Sequence, residues 1–149
     1  MGFRISIRTQ FTFIAPDRTL HCILSSIAEK GVNINGFDLS KKTKRCYLVR
    51  LVLGSVEAES ANDLRILRKV LRSYCVRFIE KKVIQVHGIA PGVPGGLGAL
   101  FGALSCKVRV IAIYTGENNR IFVDVSDLKK AARILSQKNV PQFRKKCHL

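Results

Sequence analysis

Within 149 residues the hydrophobic period switches between two and about 3.6 in the same order twice over, and this repeated switching constrains the fold more than any single motif. Ile5, Ile7, Phe11 and Phe13 alternate with Arg4, Ser6, Arg8, Gln10 and Thr12, the period of a half-buried strand. After Pro16-Asp17-Arg18-Thr19, the residues Leu20, Ile23, Leu24, Ile27 and Ala28 fall at helical spacing and predict a helix with one covered face. Gly31 can close that helix in a left-handed conformation. Val32-Asn33-Ile34-Asn35 then restarts an extended pattern, and a polar loop over 40–45 leads into a third strand at 46–53, with Tyr47, Val49, Leu51 and Leu53 on one face. Ser60 or Asn62 caps a second helix whose Leu64, Leu67, Val70, Leu71 and Tyr74 oppose Arg65, Arg68, Lys69 and Arg72. A fourth strand is expected over 76–79.

The order β-α-β-β-α-β is that of a ferredoxin-like unit, in which two helices cover one face of an antiparallel sheet. It then begins again. A strand over 83–90 precedes a helical stripe of Leu97, Leu100, Phe101 and Leu104; strands over 108–114 and 120–125 flank the turn 115–119; Ser126 caps a helix bearing Leu128, Ala131, Ala132 and Leu135. Residues repeat as well as periods: Ile14-Ala15-Pro16 matches Ile89-Ala90-Pro91 at an offset of about 75, and Asn62-Asp63-Leu64 matches Ser126-Asp127-Leu128. The last strand of the second copy is weakly marked, at Val140-Pro141-Gln142-Phe143. The expected fold is therefore α+β, two tandem βαββαβ modules over 1–80 and 81–149, each an antiparallel sheet with helices on one face.

Composition narrows function. Apolar residues form 47% of the chain, enough for packed cores, and no run approaches the roughly 20 apolar residues of a membrane-spanning helix. Met1 to Gln10 lacks a signal-peptide core, so a cytoplasmic protein without membrane attachment is expected. The five cysteines are scattered with no CxxC pair and are expected to pack as reduced, small hydrophobes. The ten acidic residues assemble no paired carboxylates, and the three histidines (His21, His87, His148) stand apart, so neither a catalytic group nor a metal site is expected. No cofactor is implied.

The stretch Ile89-Ala90-Pro91-Gly92-Val93-Pro94-Gly95-Gly96-Leu97-Gly98-Ala99-Leu100, followed by strand, polar turn and helix, resembles the ACT domain, whose modules typically carry a Pro-Gly before the first helix. The first half resembles a diverged copy through Ile14 to Leu20 and Ala28 to Ile34, with Arg18-Thr19 where the family has Pro-Gly. The resemblance implies a regulatory protein that binds an amino acid or similar metabolite between modules. A non-catalytic protein is expected, as a homodimer covering further sheet surface or edges, with docking on an enzyme as a further reading. Its residues are also readable physically. Gly92, Gly95 and Gly96 let the backbone turn tightly, and the helix start at Gly96-Leu97 offers N–H groups to a carboxylate. Val93 and Pro94 complete that corner; Asp17, Arg18 and Thr19 form its counterpart; Asn33 and Asn35 offer amides to a ligand's polar groups.

The net charge of +16 raises a competing reading, a basic nucleic-acid-binding module on the same fold. Phe11 and Phe13 share the apolar register of Ile5 and Ile7, so they are expected in the core rather than as base-stacking platforms, and ligand sensing is favoured.

Overall fold

Alternation holds from Arg4 until Pro16, and a single strand takes the whole segment. In the computed structural model, which describes residues 2–140 and 142, β1 spans Arg4–Pro16 and α1 follows directly over Asp17–Glu29. Then come β2 (Ile34–Lys41), β3 (Cys46–Leu53), α2 (Ala61–Ser73), β4 (Phe78–His87), α3 (Gly96–Leu104), β5 (Val110–Thr115), a 3-10 turn (Glu117–Asn119), β6 (Ile121–Val125) and α4 (Leu128–Leu135). The mixed α/β, antiparallel architecture agrees with the ferredoxin-like reading.

Two compact units divide the chain. Unit I comprises Arg8–Lys82 and Tyr114–Asn118; unit II comprises Met1–Ile7, Val83–Ile113 and Asn119–Leu149. The expected boundary at residue 80 thus falls inside β4, whose residues 78–82 lie in unit I and 83–87 in unit II.

In unit I the neighbouring strands run β2-β3-β1-β4. β1 and β3 are antiparallel, with Phe11 opposite Leu51 and Phe13 opposite Val49. Those four residues with Ala15 and Leu53 project to one face, where Leu20, Ile23 and Ile27 of α1 and Leu67, Val70 and Leu71 of α2 close a core. The stem of each helix is therefore set by its apolar stripe, and burial of such side chains contributes about 1.5–3 kcal/mol each. Ser60 starts α2, its side chain accepting from Asp63 N at 3.1 Å.

In unit II the order is β1-β4-β6-β5, with residues 4–7 of β1 beside β4 and Ile84 of β4 opposite Val123 of β6. Its core joins Ile84, Val86, Ile121, Val123 and Val125 to Leu100, Ala103 and Leu104 of α3 and Ala131, Ile134 and Leu135 of α4. The strand place expected for 140–143 lies largely outside the described residues.

Several local expectations are corrected. Strands expected separately at 76–79 and 83–90 are one strand, β4, because the intervening charges are accommodated in extended backbone: Glu80 pairs with Arg68, and Lys82 Nζ donates to Thr9 Oγ1 at 2.8 Å. Arg8, expected on a solvated face, is 2% exposed, whereas Ile7 is exposed. Asp127 caps α4 by accepting from Lys130 N at 3.1 Å; Ser126 instead accepts from Arg109 N at 3.0 Å. Leu97 and Phe101 are exposed because α3 buries Leu100, Ala103 and Leu104. Tyr74 is exposed at the end of α2, its hydroxyl 3.1 Å from Ser26 Oγ. Cys75 and Cys106 are exposed free thiols; Cys22 and Cys46 are half-buried; Cys147 and His148 lie outside the described residues.

Candidate ligand site

The glycine corner lies in unit II, where β4 ends. Gly88 has φ +76, Gly92 φ +74 and Gly95 φ +100, all left-handed. Gly95 is the N-cap of α3 and supplies no side chain to the first turn, whose N–H groups are left for another acceptor. A Cβ on Gly96 would meet Ile89 Cγ2 at 2.8 Å, so close packing rather than φ requires glycine there. Gly92, Val93, Pro94, Gly95 and Leu97 are exposed and Gly96 is half-buried.

Against this corner is a cavity of about 480 Å³, whose lining includes Phe3, Arg4, His87, Ile89, Val93 and Pro94. Such a volume suits a small metabolite. Arg4 supplies a fixed positive charge, and a guanidinium matches a carboxylate through two parallel hydrogen bonds. His87 Nε2 lies 2.8 Å from Ser6 Oγ, which itself donates to Gln85 Oε1 at 3.0 Å. Hydroxyl, amide and imidazole therefore form one hydrogen-bonded chain along the cavity wall.

The remaining candidates lie in unit I. Asp17, Arg18 and Thr19 form the first turn of α1, so the counterpart of the glycine corner is helical backbone directly after Pro16. Asn33 and Asn35 are brought together with the turn after β3. Asn33 Nδ2 donates to Gly54 O at 2.9 Å and to Glu117 Oε1 at 2.5 Å; Asn35 Nδ2 donates to Ser55 O at 3.1 Å. Asn35 is 1% exposed and its Oδ1 accepts no hydrogen bond. Asn118 and Asn119 take left-handed φ of 54° and 57°, the turn role expected of them.

Arg4, Ser6, His87 and Glu117 were not legible as site residues. Their positions depend on strand pairings more than 75 residues apart in sequence, which local periodicity does not encode. Among the described residues no group of three His, Cys, Asp or Glu side chains is placed to hold a metal ion, and no helix is long and apolar enough to cross a membrane.

No protein-family model and no curated relative matches the sequence. Solved structures do match. The chain is similar to a protein of Bacteroides thetaiotaomicron, with a TM-score of 0.68 at 17% identity over 87% of this chain and 86% of that one. It is similar to the regulatory subunit of aspartate kinase from Thermus thermophilus in its ligand-free form, with a TM-score of 0.62 at 18% identity over 91% and 93% of the two chains. It also matches E. coli aspartokinase III in complex with aspartate and ADP, TM-score 0.59 at 14% identity, over 91% of this chain and 32% of that one. At these identities the likeness is one of fold, and the fold is ACT-like.

Proposed function

We propose that this chain is a non-catalytic regulatory protein that senses an amino acid or a similar small carboxylate, with units I and II as its two ACT-like modules. The observation that carries the reading is the cavity of about 480 Å³ beside the glycine corner, with Arg4 in its wall. A ligand carboxylate is taken by the Arg4 guanidinium and the N–H groups opening α3, while Ile89 and Val93 receive an apolar portion. The fold shared with a regulatory subunit of aspartate kinase supports a regulatory role exercised on an enzyme partner, and a homodimer is the assembly we propose for it.

Binding at the corner couples ligand to the Gly92 to Gly96 backbone, and a ligand that prefers one arrangement of that backbone shifts its population. The test is a thermal-shift screen of the twenty amino acids and simple carboxylates on the native protein and on Arg4→Ala. At 100-fold over Kd a ligand stabilises by about 2.7 kcal/mol, a rise of roughly 5 °C or more. One or a few ligands should produce that rise in the native chain and little in the variant. A flat screen, or a rise that Arg4→Ala leaves intact, contradicts the proposal.

A further inference from the structure

The proposed ligand site leaves a second surface, on unit I, unused. Along α2 of unit I lies a groove of about 1070 Å³ lined by Lys30, Arg65, Arg68, Lys69 and Arg72, with Ile66, Val70 and Ser73 between them and no carboxylate in the lining. Arg68 is neutralised by Glu80. Arg65 is held by the neutral amide of Asn62, and Arg72 lies 5.6 Å over the Phe78 ring, so both keep their full charge. Among the described residues no ion pair engages Lys30, Arg65, Lys69 or Arg72. Like charges at i, i+3 and i, i+4 on one helix face repel and weaken the helix by a few tenths of a kcal/mol per pair. An arrangement that costs stability alone is compensated when an anion lies along it.

We infer that this groove docks the phosphate backbone of a nucleic acid, by charge and without reading base sequence. Three of the five cations are arginines, whose planar forks match phosphate oxygens. They rise along roughly 10 Å of helix, from Arg65 to Arg72, so they follow a linear polyanion rather than a single small anion. The whole chain, at +16, adds the long-range attraction that draws a polyanion to such a surface. A lipid surface fits less well, because binding in the interface needs large apolar side chains beside the cations, and none of the lining residues is an exposed large hydrophobic. The core positions of Phe11 and Phe13 leave the helix face, not the sheet, as the place of contact.

The experiment uses the full chain and a fluorescein-labelled 20-nucleotide single-stranded RNA of mixed sequence, titrated by anisotropy from 50 to 300 mM NaCl. Four phosphate contacts predict a slope of about −3 in log K against log salt, with the same affinity for a scrambled sequence. Arg65→Gln with Lys69→Gln should lower affinity about tenfold or more at 50 mM NaCl and bring the slope to about −1.5. Lys129→Gln with Lys130→Gln, which removes equal charge from exposed positions on α4, should leave both nearly unchanged. Circular dichroism confirms that both double variants are folded. The inference fails if the native chain does not bind RNA at 50 mM NaCl, if the two double variants lose affinity equally, or if phosphatidylserine vesicles or polyglutamate bind the groove more tightly than RNA.

Discussion

Glu59 accepts two hydrogen bonds from one residue: Thr9 N at 2.8 Å on Oε1 and Thr9 Oγ1 at 2.6 Å on Oε2. The same carboxylate pairs with Arg8 Nε at 3.2 Å, while Arg8 also donates to Leu53 O. One carboxylate therefore serves two successive residues of β1. The loop between β3 and α2 is thereby tied to the strand where it passes through unit I. Charge-assisted bonds to a nearly buried arginine are the strong kind, because removing one partner leaves the other desolvated.

Glu59→Ala should therefore destabilise the protein by about 3 kcal/mol, since it strips a buried guanidinium of its carboxylate and two Thr9 donors of their acceptor. Lys82 Nζ lies 3.9 Å from the same carboxylate but its side chain is 59% exposed, and Lys82→Ala should cost under about 1 kcal/mol. Urea unfolding of the two variants measures the contrast. Equal losses would show that the carboxylate acts through solvent-screened charge alone.

This pair also shows where sequence reasoning stops. The alternation of Phe11 and Phe13 placed the core face of β1 correctly, because burial on one face is a local period-two property. Arg8 was assigned to solvent by the same rule. Its burial depends on Glu59, fifty residues downstream in a loop whose sequence carries no period. The merging of two expected strands into β4 has the same origin: Glu80, Lys81 and Lys82 look like a loop until partners on α2 and β1 are known.

Two glycines on α3 should respond oppositely to alanine. A Cβ on Gly98 meets nothing within 4 Å, so Gly98→Ala gains helix propensity and should stabilise by about 0.5–1 kcal/mol. Gly96→Ala drives its Cβ to 2.8 Å from Ile89 Cγ2, and should lower Tm by a few degrees while disturbing the wall of the ligand cavity. Thermal melts decide the sign of each. A stabilising Gly96→Ala would mean that Ile89 moves aside at no cost.

Caps give a third test. Asp127, rather than Ser126, accepts from the first turn of α4, so Asp127→Ala should cost about 1 kcal/mol through helix fraying. Ser126→Ala removes instead the acceptor of Arg109 N, at an exposed site, and should cost less. Hydrogen exchange at Lys130 and Ala131 separates the two, rising in Asp127→Ala and staying near native in Ser126→Ala. Both residues are good capping types, and the sequence reading chose Ser126, one residue too early.

The candidate site was half legible. Gly92 and Gly95 were recognisable because a left-handed backbone selects glycine locally. Arg4 and His87, which give the cavity its polar wall, became neighbours of that corner only through the placement of residues 4–7 beside β4. Asn33 and Asn35 were identified by residue type, but their tie to Gly54, Ser55 and Glu117 was not, because it joins three segments.

Asn35 carries the last prediction. Its Nδ2 donates to Ser55 O while Oδ1 has no donor, so Asn35→Asp replaces the one donor with an acceptor facing a carbonyl. When ionised, the new carboxylate is buried and repelled; when protonated, it donates to Ser55 O as the amide does. Its folded-state pKa is therefore raised above the unfolded value of about 3.9. In that window the unfolded state binds fewer protons than the native state, so the variant's stability relative to wild type falls as pH rises through it. The deficit should be below about 1 kcal/mol at pH 4 and about 2–4 kcal/mol at pH 7. Paired urea titrations at both pH values measure it, and a deficit independent of pH would show that the Oδ1 position reaches water.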